Sequence, residues 1–350
     1  MFRLSRLAAV LSALASFCLS AAGCAVDDEP ADDADASVES TFDSSWSEVD
    51  MTDAVAAGTD DAGTAGSDSA DGSAPATNPD VDTQPRSWPD PRPGCNGHEV
   101  LCERPFNEVV FPATHNSMSN EQDGWVLPNQ NTNMRAQLID GIRAFLIDVY
   151  EQRGQLVLCH SVCTLGQRDY LEALQELRSF LDENPGEVIS LLIQNAVSSQ
   201  QLDDALVESG LAPYAIVQDP NAPWPTLQEL VDRNTRLLVT VESGGPPPER
   251  IHSLWAVAWD TPYTFESVEA FNCTQNRGDS TNALFLINHW LSAPAALPEF
   301  GPVANAGDVL RARVEECRTE WGRLPTFIAV DYHDAGDLMT VVDELNGVAR

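Results

Sequence analysis

No lysine occurs in this chain, and all 19 basic residues are arginine. Schiff-base chemistry on a lysine amine is therefore excluded, and a cationic contact to phosphate or carboxylate must come from a guanidinium or a bound metal. Basic charge is scarce as well. Against the arginines stand 54 acids, for a formal net charge of −35, so the basic patch that phosphate-backbone binding draws on is missing and a nucleic-acid partner is excluded. No apolar run is long enough to span a bilayer, and there is no internal repeat.

What is present divides the chain into three. Residues 1–24 carry Arg3 and Arg6 and no acid, then an apolar stretch over 7–19 and small residues, the layout of a secretory signal. The sequence Ala21-Ala22-Gly23-Cys24 resembles a bacterial lipobox, which implies that Cys24 is the lipid-modified first residue of the mature chain. Residues 25–94 hold 18 acids against Arg86 and Arg92 (−16), with few large apolar side chains. Such a segment buries too little surface to offset chain entropy, so a disordered acidic linker is expected, with an r.m.s. span of about 40–50 Å. Residues 95–350, with 36 acids and 15 arginines (−21), form the remaining domain.

Cysteine usage agrees with export. Beyond Cys18 and Cys24 there are six, an even number that suggests three disulfides in an oxidising compartment. The sequence-near pairing is Cys95–Cys102, Cys159–Cys163 and Cys273–Cys317. A zinc cluster built on Cys159, His160 and Cys163 lacks a fourth ligand.

The domain's length is close to the ~250 residues of a (β/α)8 barrel. Short apolar runs at 109–113, 144–148, 156–159, 188–193, 237–241, 256–259, 284–287 and 327–330 read as strands. Helical spacing over 170–183, 200–209 and 308–321 separates some of them, and Leu171, Leu174, Leu177 and Leu181 share one stripe that Asn184-Pro185-Gly186 ends. The alternation predicts an α/β fold with a parallel sheet, a TIM-type barrel either complete or incompletely closed. In such a barrel catalytic groups collect where strands end. Polar residues do follow these runs: Thr114, His115 and Asn116; Asp148; His160; Gln194 and Asn195; Glu242 and Ser243; Asp260; Asn288 and His289; Asp331 and His333. One such histidine would suit a structural role, but His115, His160 and His289 at three strand ends, plus Asp148 and Asp331, point to a catalytic rim.

Residues 111–118 (FPATHNSM), 141–150 (GIR…IDVY) and 158–161 (LCHS) resemble the X domain of phosphatidylinositol-specific phospholipases C, as do 181–193, 284–290 and 327–332. The resemblance covers nearly all of residues 95–350. It implies phosphodiester cleavage by internal attack of a hydroxyl on phosphorus, with His115 as general base and His160 as general acid. It also implies a divalent cation, most readily Ca2+, on Asn116 and Asp148 with help from Gln194. The pattern departs from calcium-binding members at Leu146 and Gln194, where those carry Glu, so a weak site is expected. The alternative for Asp148 is to orient a histidine or pair with Arg143 or Arg135.

Asp331 is expected to orient His115 or to form a structural salt bridge. Glu242, and one of Asn288 and His289, are expected substrate contacts, since alternation lets only one of that pair face inward. Arg135, Arg168 and Arg277 are the candidate cations for a head group. Asp260 and the remaining histidines, together with the aromatic residues, are expected in packing. The partners implied are a phospholipid or other phosphodiester and, through Cys24, a membrane, for an exported, lipid-anchored monomer. Competing functions are a glycerophosphodiester or sphingolipid phosphodiesterase of the same barrel type, and a surface module that binds a head group or sugar without turning it over.

Overall fold

The computed structural model describes residues 88–292 and 296–348. The expected signal sequence, Cys24 and the acidic linker up to residue 87 lie outside the described residues. The folded domain begins before Cys95. Trp88 is buried edge-on against Phe180 with 5.1 Å between ring centroids, its indole N–H donates to Ser179 Oγ (2.9 Å), and the Arg135 guanidinium lies 3.8 Å above it. Residues 88–94, read as linker from their composition, are therefore part of the domain.

Ten strands form one sheet: β1 (Phe111–Thr114), β2 (Ala144–Gln152), β3 (Gln155–Leu158), β4 (Arg168–Asp169), β5 (Ile189–Asn195), β6 (Leu237–Val241), β7 (His252–Ser253), β8 (Ala258–Asp260), β9 (Leu284–His289) and β10 (Phe327–Val330). Eight of them run parallel in the order β7-β6-β5-β2-β1-β10-β9-β8. Pairing of β10 with β1 makes this the strand order of a (β/α)8 barrel. No ladder joins β7 to β8 among the described residues, so the curled sheet is open at that seam. The expected α/β architecture with incomplete closure is what the chain adopts.

Two strand assignments change. The run at 156–159 is no barrel strand: as β3 it folds back antiparallel on β2, Gln152 opposite Gln155. The two-residue turn Arg153-Gly154, with φ of 54° and 80°, has the left-handed backbone that joins twisted antiparallel strands. The missing eighth strand is β7, two residues long and too short for any periodicity to show. A helical turn over Leu254–Val257 then starts β8 two residues later than expected.

Alternation along the strands sorts the core into two clusters. Phe111, Ala113, Ala144, Leu192, Leu238, Leu286, Phe327 and Ala329 pack together inside the sheet's curl. Side chains of the other parity, such as Ile147, Leu191, Val239, Ile287 and Ile328, pack outward against the helices Tyr170–Glu183, Ser199–Glu208, Gly307–Trp321 and Leu338–Asn346 through Leu174, Leu206, Leu310 and Val341. Those helices start on side-chain caps where the sequence offers them: Asp169 accepts from Glu172 N, and Ser198 forms a reciprocal box with Gln201. Inward parity, continued past the strand ends, falls on His115, Asp148, Gln194, Glu242, Asp260, Asn288, Trp290 and Asp331. The three sequence-near disulfides are all present, and Cys159, bonded to Cys163, is thereby no zinc ligand. Among the described residues no helix is long and apolar enough to cross a membrane.

Candidate active site

His115 is the first residue past β1, and its backbone N–H still donates to Val330 O (2.9 Å) on β10. Gln130 clamps the same junction, its amide donating to His115 O (2.8 Å) and Val330 O (3.0 Å). The β1–β10 register, Thr114 opposite Val330, places Asp331 beside His115, and His115 Nδ1 lies 2.8 Å from Asp331 Oδ1. A carboxylate only accepts, so Nδ1 carries the proton and Nε2 is the basic nitrogen. Trp290 stacks on the imidazole with ring centroids 3.8 Å apart and planes 5° from parallel. One nitrogen is thus anchored and the ring plane fixed.

His160 follows the return arm β3, not a barrel strand, within the four-residue span closed by Cys159–Cys163. Ser161 takes a left-handed φ of 58°, and Val162 N donates to His160 O (2.6 Å), which turns the loop toward the rim. Asn116, itself at φ 45°, brings its side-chain nitrogen to 3.4 Å from His160 Nε2. The two histidines therefore meet at the same rim. His160 is exposed at the mouth yet enclosed enough that desolvation, then the charge of His115, lowers its pKa, with Asp331 opposing.

Asp148 ends the inward row of β2. Burial pushes its carboxyl up to about 7, with His115 acting downward and Glu242 upward. The two arginines offered as its alternative partners are engaged elsewhere. Arg143 is spent on Glu187 (2.6 Å) and the carbonyls of Leu138 and Ile142, and Arg135 pairs with Glu176 at 3.6 Å. Among the described residues no hydrogen bond reaches the Asp148 carboxylate or Asn116 Oδ1. Gln194 stands in register with Asp148 on β5 and is exposed, while Leu146, at the same parity one layer lower, packs against the inner core. No group of three or more His, Cys, Asp or Glu that could hold a metal occurs among the described residues. A buried carboxylate with no arginine beside it and with Gln194 in register on the next strand does fit a hard cation completed by water and phosphate oxygens.

The opposite arc of the rim is a charge network. Arg277 donates to Glu242 Oε1 (2.9 Å) and through Nε and Nη2 to Asp260 Oδ2 (3.1 and 2.6 Å), and lies 4.3 Å from the Trp255 ring centre and 4.7 Å from that of Tyr263. Asn288, inward as parity requires, donates to Asp260 Oδ2 (3.0 Å). Burial raises the Glu242 pKa against the pull of Arg277. Arg168, like Arg135, is held by Glu176 (2.7 Å), and of the three candidate head-group cations Arg277 is the one that stands among the rim acids, itself paired with Asp260 and Glu242.

His289 is no substrate contact. It points outward, fully buried, with Nε2 2.7 Å from Ala304 O, and burial followed by the charge of Arg313 lowers its pKa to about 3. Two site residues escaped the sequence. Trp290 was assigned to packing, although it sits two residues past Asn288 and so on the inward parity. Asn129 gave no signal, lying in a loop far from any strand end. It donates to both oxygens of Asp331 (3.2 Å each) and accepts from Asn116 Nδ2 (3.3 Å).

The chain is similar to several known proteins. A 28% identical relative, an uncharacterized secreted protein of Arthroderma benhamiae, aligns over 79% of this chain and 68% of its own length. A PI-PLC X domain-containing protein of the same fungus is 26% identical over 73% of this chain and 90% of its own. One from Arabidopsis thaliana is 26% identical over 69% and 63%. Among solved structures, a phosphatidylinositol-specific phospholipase C of Staphylococcus aureus superposes with a TM-score of 0.49 at 14% identity, covering 71% of this chain and 95% of that one. A calcium-dependent phosphoinositol-specific phospholipase C from Pseudomonas sp. gives a TM-score of 0.31 at 16% identity, over 41% of this chain and 60% of that one. The family profile "PI-PLC X 1" matches residues 101–346, well over half of the chain, which therefore belongs to the PI-PLC X domain family.

Proposed function

We propose that the protein is an exported phospholipase C-like phosphodiesterase that cleaves an inositol phospholipid or related diester with two imidazoles. The observation that carries this reading is the pairing of His115 Nδ1 with Asp331 Oδ1 at 2.8 Å while His160 approaches from the neighbouring loop. His115 Nε2 takes the proton of the attacking hydroxyl as its oxygen bonds to phosphorus. The bond from phosphorus to the leaving oxygen breaks, and His160 supplies the proton that oxygen needs, leaving a cyclic phosphate. The depressed pKa of His160 leaves it neutral in the free site at neutral pH. A phosphodiester anion beside it favours the charged form, so the acid is loaded when substrate binds. Asp148, Asn116 and Gln194 would hold a divalent cation, most readily Ca2+, which when bound neutralises the non-bridging oxygens. Without lysine, the remaining positive charge comes from the imidazoles, since Arg277 is paired with Asp260 and Glu242.

Export is supported by the three disulfides and by a relative named as secreted. Lipid anchoring through Cys24 and a membrane-tethered location belong to the same proposal. Assay of inositol phospholipid vesicles and water-soluble diesters, with and without chelator, tests it. His115→Ala and His160→Ala should each lower turnover by about 10²–10⁴-fold with the thermal melt retained. Full activity in either variant removes the assignment. Head-group binding without turnover by the unmodified protein would instead favour a binding module, the alternative that Leu146 motivates.

A further inference from the structure

We infer that Asn129 is a positioning residue that sets the tautomer of His160 from the carboxylate that holds His115. The inference rests on the proposed acid and base roles for its functional meaning, but its geometry stands apart from them. Asn129 is 2% exposed, so its amide must find partners within the protein. Its backbone is pinned on both sides, N–H to Ser119 O (3.0 Å) and C=O accepting from Tyr332 N (2.8 Å).

Each orientation along the chain of contacts dictates the next. Both Asp331 oxygens lie 3.2 Å from the Asn129 amide, and a carboxylate can only accept, so Asn129 must turn its NH2 there. Its Oδ1 is then the atom facing Asn116, which must present its own NH2 at 3.3 Å. That same NH2 lies 3.4 Å from His160 Nε2, which must accept, so neutral His160 carries its proton on Nδ1. Asp331 imposes the Nδ1–H form on His115 directly and on His160 through two amides. The opposite edge of Asn116, its carbonyl oxygen, is in consequence turned away from both partners and left for a cation or substrate. When the anion arrives and His160 gains its second proton at Nε2, N–H faces N–H. The 3.4 Å contact yields and Nε2–H is released toward the leaving oxygen.

The test is nitrogen-15 NMR of the histidine rings at pH 8, where His160 is neutral, combined with kinetics on the proposed substrates. The unmodified protein should show His160 Nε2 unprotonated. Asn129→Leu, which removes both ends of the relay, should mix the two tautomers and lower kcat by about tenfold with little change in KM. Asn129→Ala, which removes the same two contacts without added bulk, should give the same mixture of tautomers and the same loss of kcat, and it serves if the leucine variant does not fold. A single Nδ1–H tautomer in the folded variant, or an Nε2–H form in the unmodified protein, overturns the inference. Absence of turnover in the unmodified protein would defeat the proposed function and leave the NMR result to decide the relay.

Discussion

Asp148 is a buried carboxylate with no arginine beside it, and the cost of that arrangement can be worked out. Its usual pKa of 3.8 rises to about 7 on folding, chiefly by desolvation. The folded state therefore holds the proton more tightly than the unfolded chain. Below pH ~3.8 both states are protonated and there is no penalty, and between ~3.8 and ~7 the unfolded chain ionises first, so stability falls as pH rises. Above ~7 the penalty is complete. At about 1.36 kcal/mol per pH unit it amounts to about 4 kcal/mol as an order of magnitude. Asp148→Asn removes the titration while keeping the shape. In metal-free protein at pH 8 it should raise the melting temperature by on the order of 10 °C, and the gain should fade as the pH is lowered toward 4. Added calcium should stabilise the unmodified protein and not the variant. Activity should be lost despite the gain in stability. Calorimetric melts across pH 4–8, with and without calcium, measure all of this. A variant that melts lower than the parent at pH 8, or whose gain does not vary with pH, would refute the account of Asp148 as an uncompensated buried charge.

Arg277→Gln leaves Asp260, buried, and Glu242 without their guanidinium, and should destabilise the fold by about 3 kcal/mol, read as a lowered denaturation midpoint. An unchanged midpoint would mean that solvent already screens both acids. The disulfides should separate stability from function. By loop-closure entropy, Cys273–Cys317, spanning 44 residues, is worth about 4 kcal/mol, and Cys159–Cys163, spanning four, about 2 kcal/mol. Paired alanine substitutions should therefore cost more stability at the first and more turnover at the second, where His160 lies inside the loop. The reverse order in turnover would show that the His160 loop holds its shape without the bridge.

The sequence made the barrel order legible because parallel strands buried on both faces are continuous apolar runs, and 188–193 or 327–330 cannot be much else. It misplaced one strand because β3 is as apolar as its neighbours. Only the turn Arg153-Gly154 distinguishes a hairpin arm from a barrel strand, and β7 is too short to have a period. At the rim, parity could decide which residues face the site: it separates Asn288 from His289 and would have admitted Trp290. The pairing of His115 with Asp331 followed from two strand ends, once β1 and β10 were known to be neighbours. Asn129 was beyond reach. Its position comes from backbone contacts to Ser119 and Tyr332 that join distant segments, and no local pattern encodes them.

The pairing of β1 with β10 also has a meaning in time. His115 and its anchoring carboxylate are 216 residues apart in the chain, so the first strand of the domain waits for the last before its histidine is oriented. Such long-range closure is slow compared with local structure. A chain interrupted between His160 and Phe327 has both imidazoles, Asn116 and Asp148 but neither Asp331 nor the strand that places it. The rim therefore takes its shape last: until the final strand pairs, His115 has no carboxylate to anchor it.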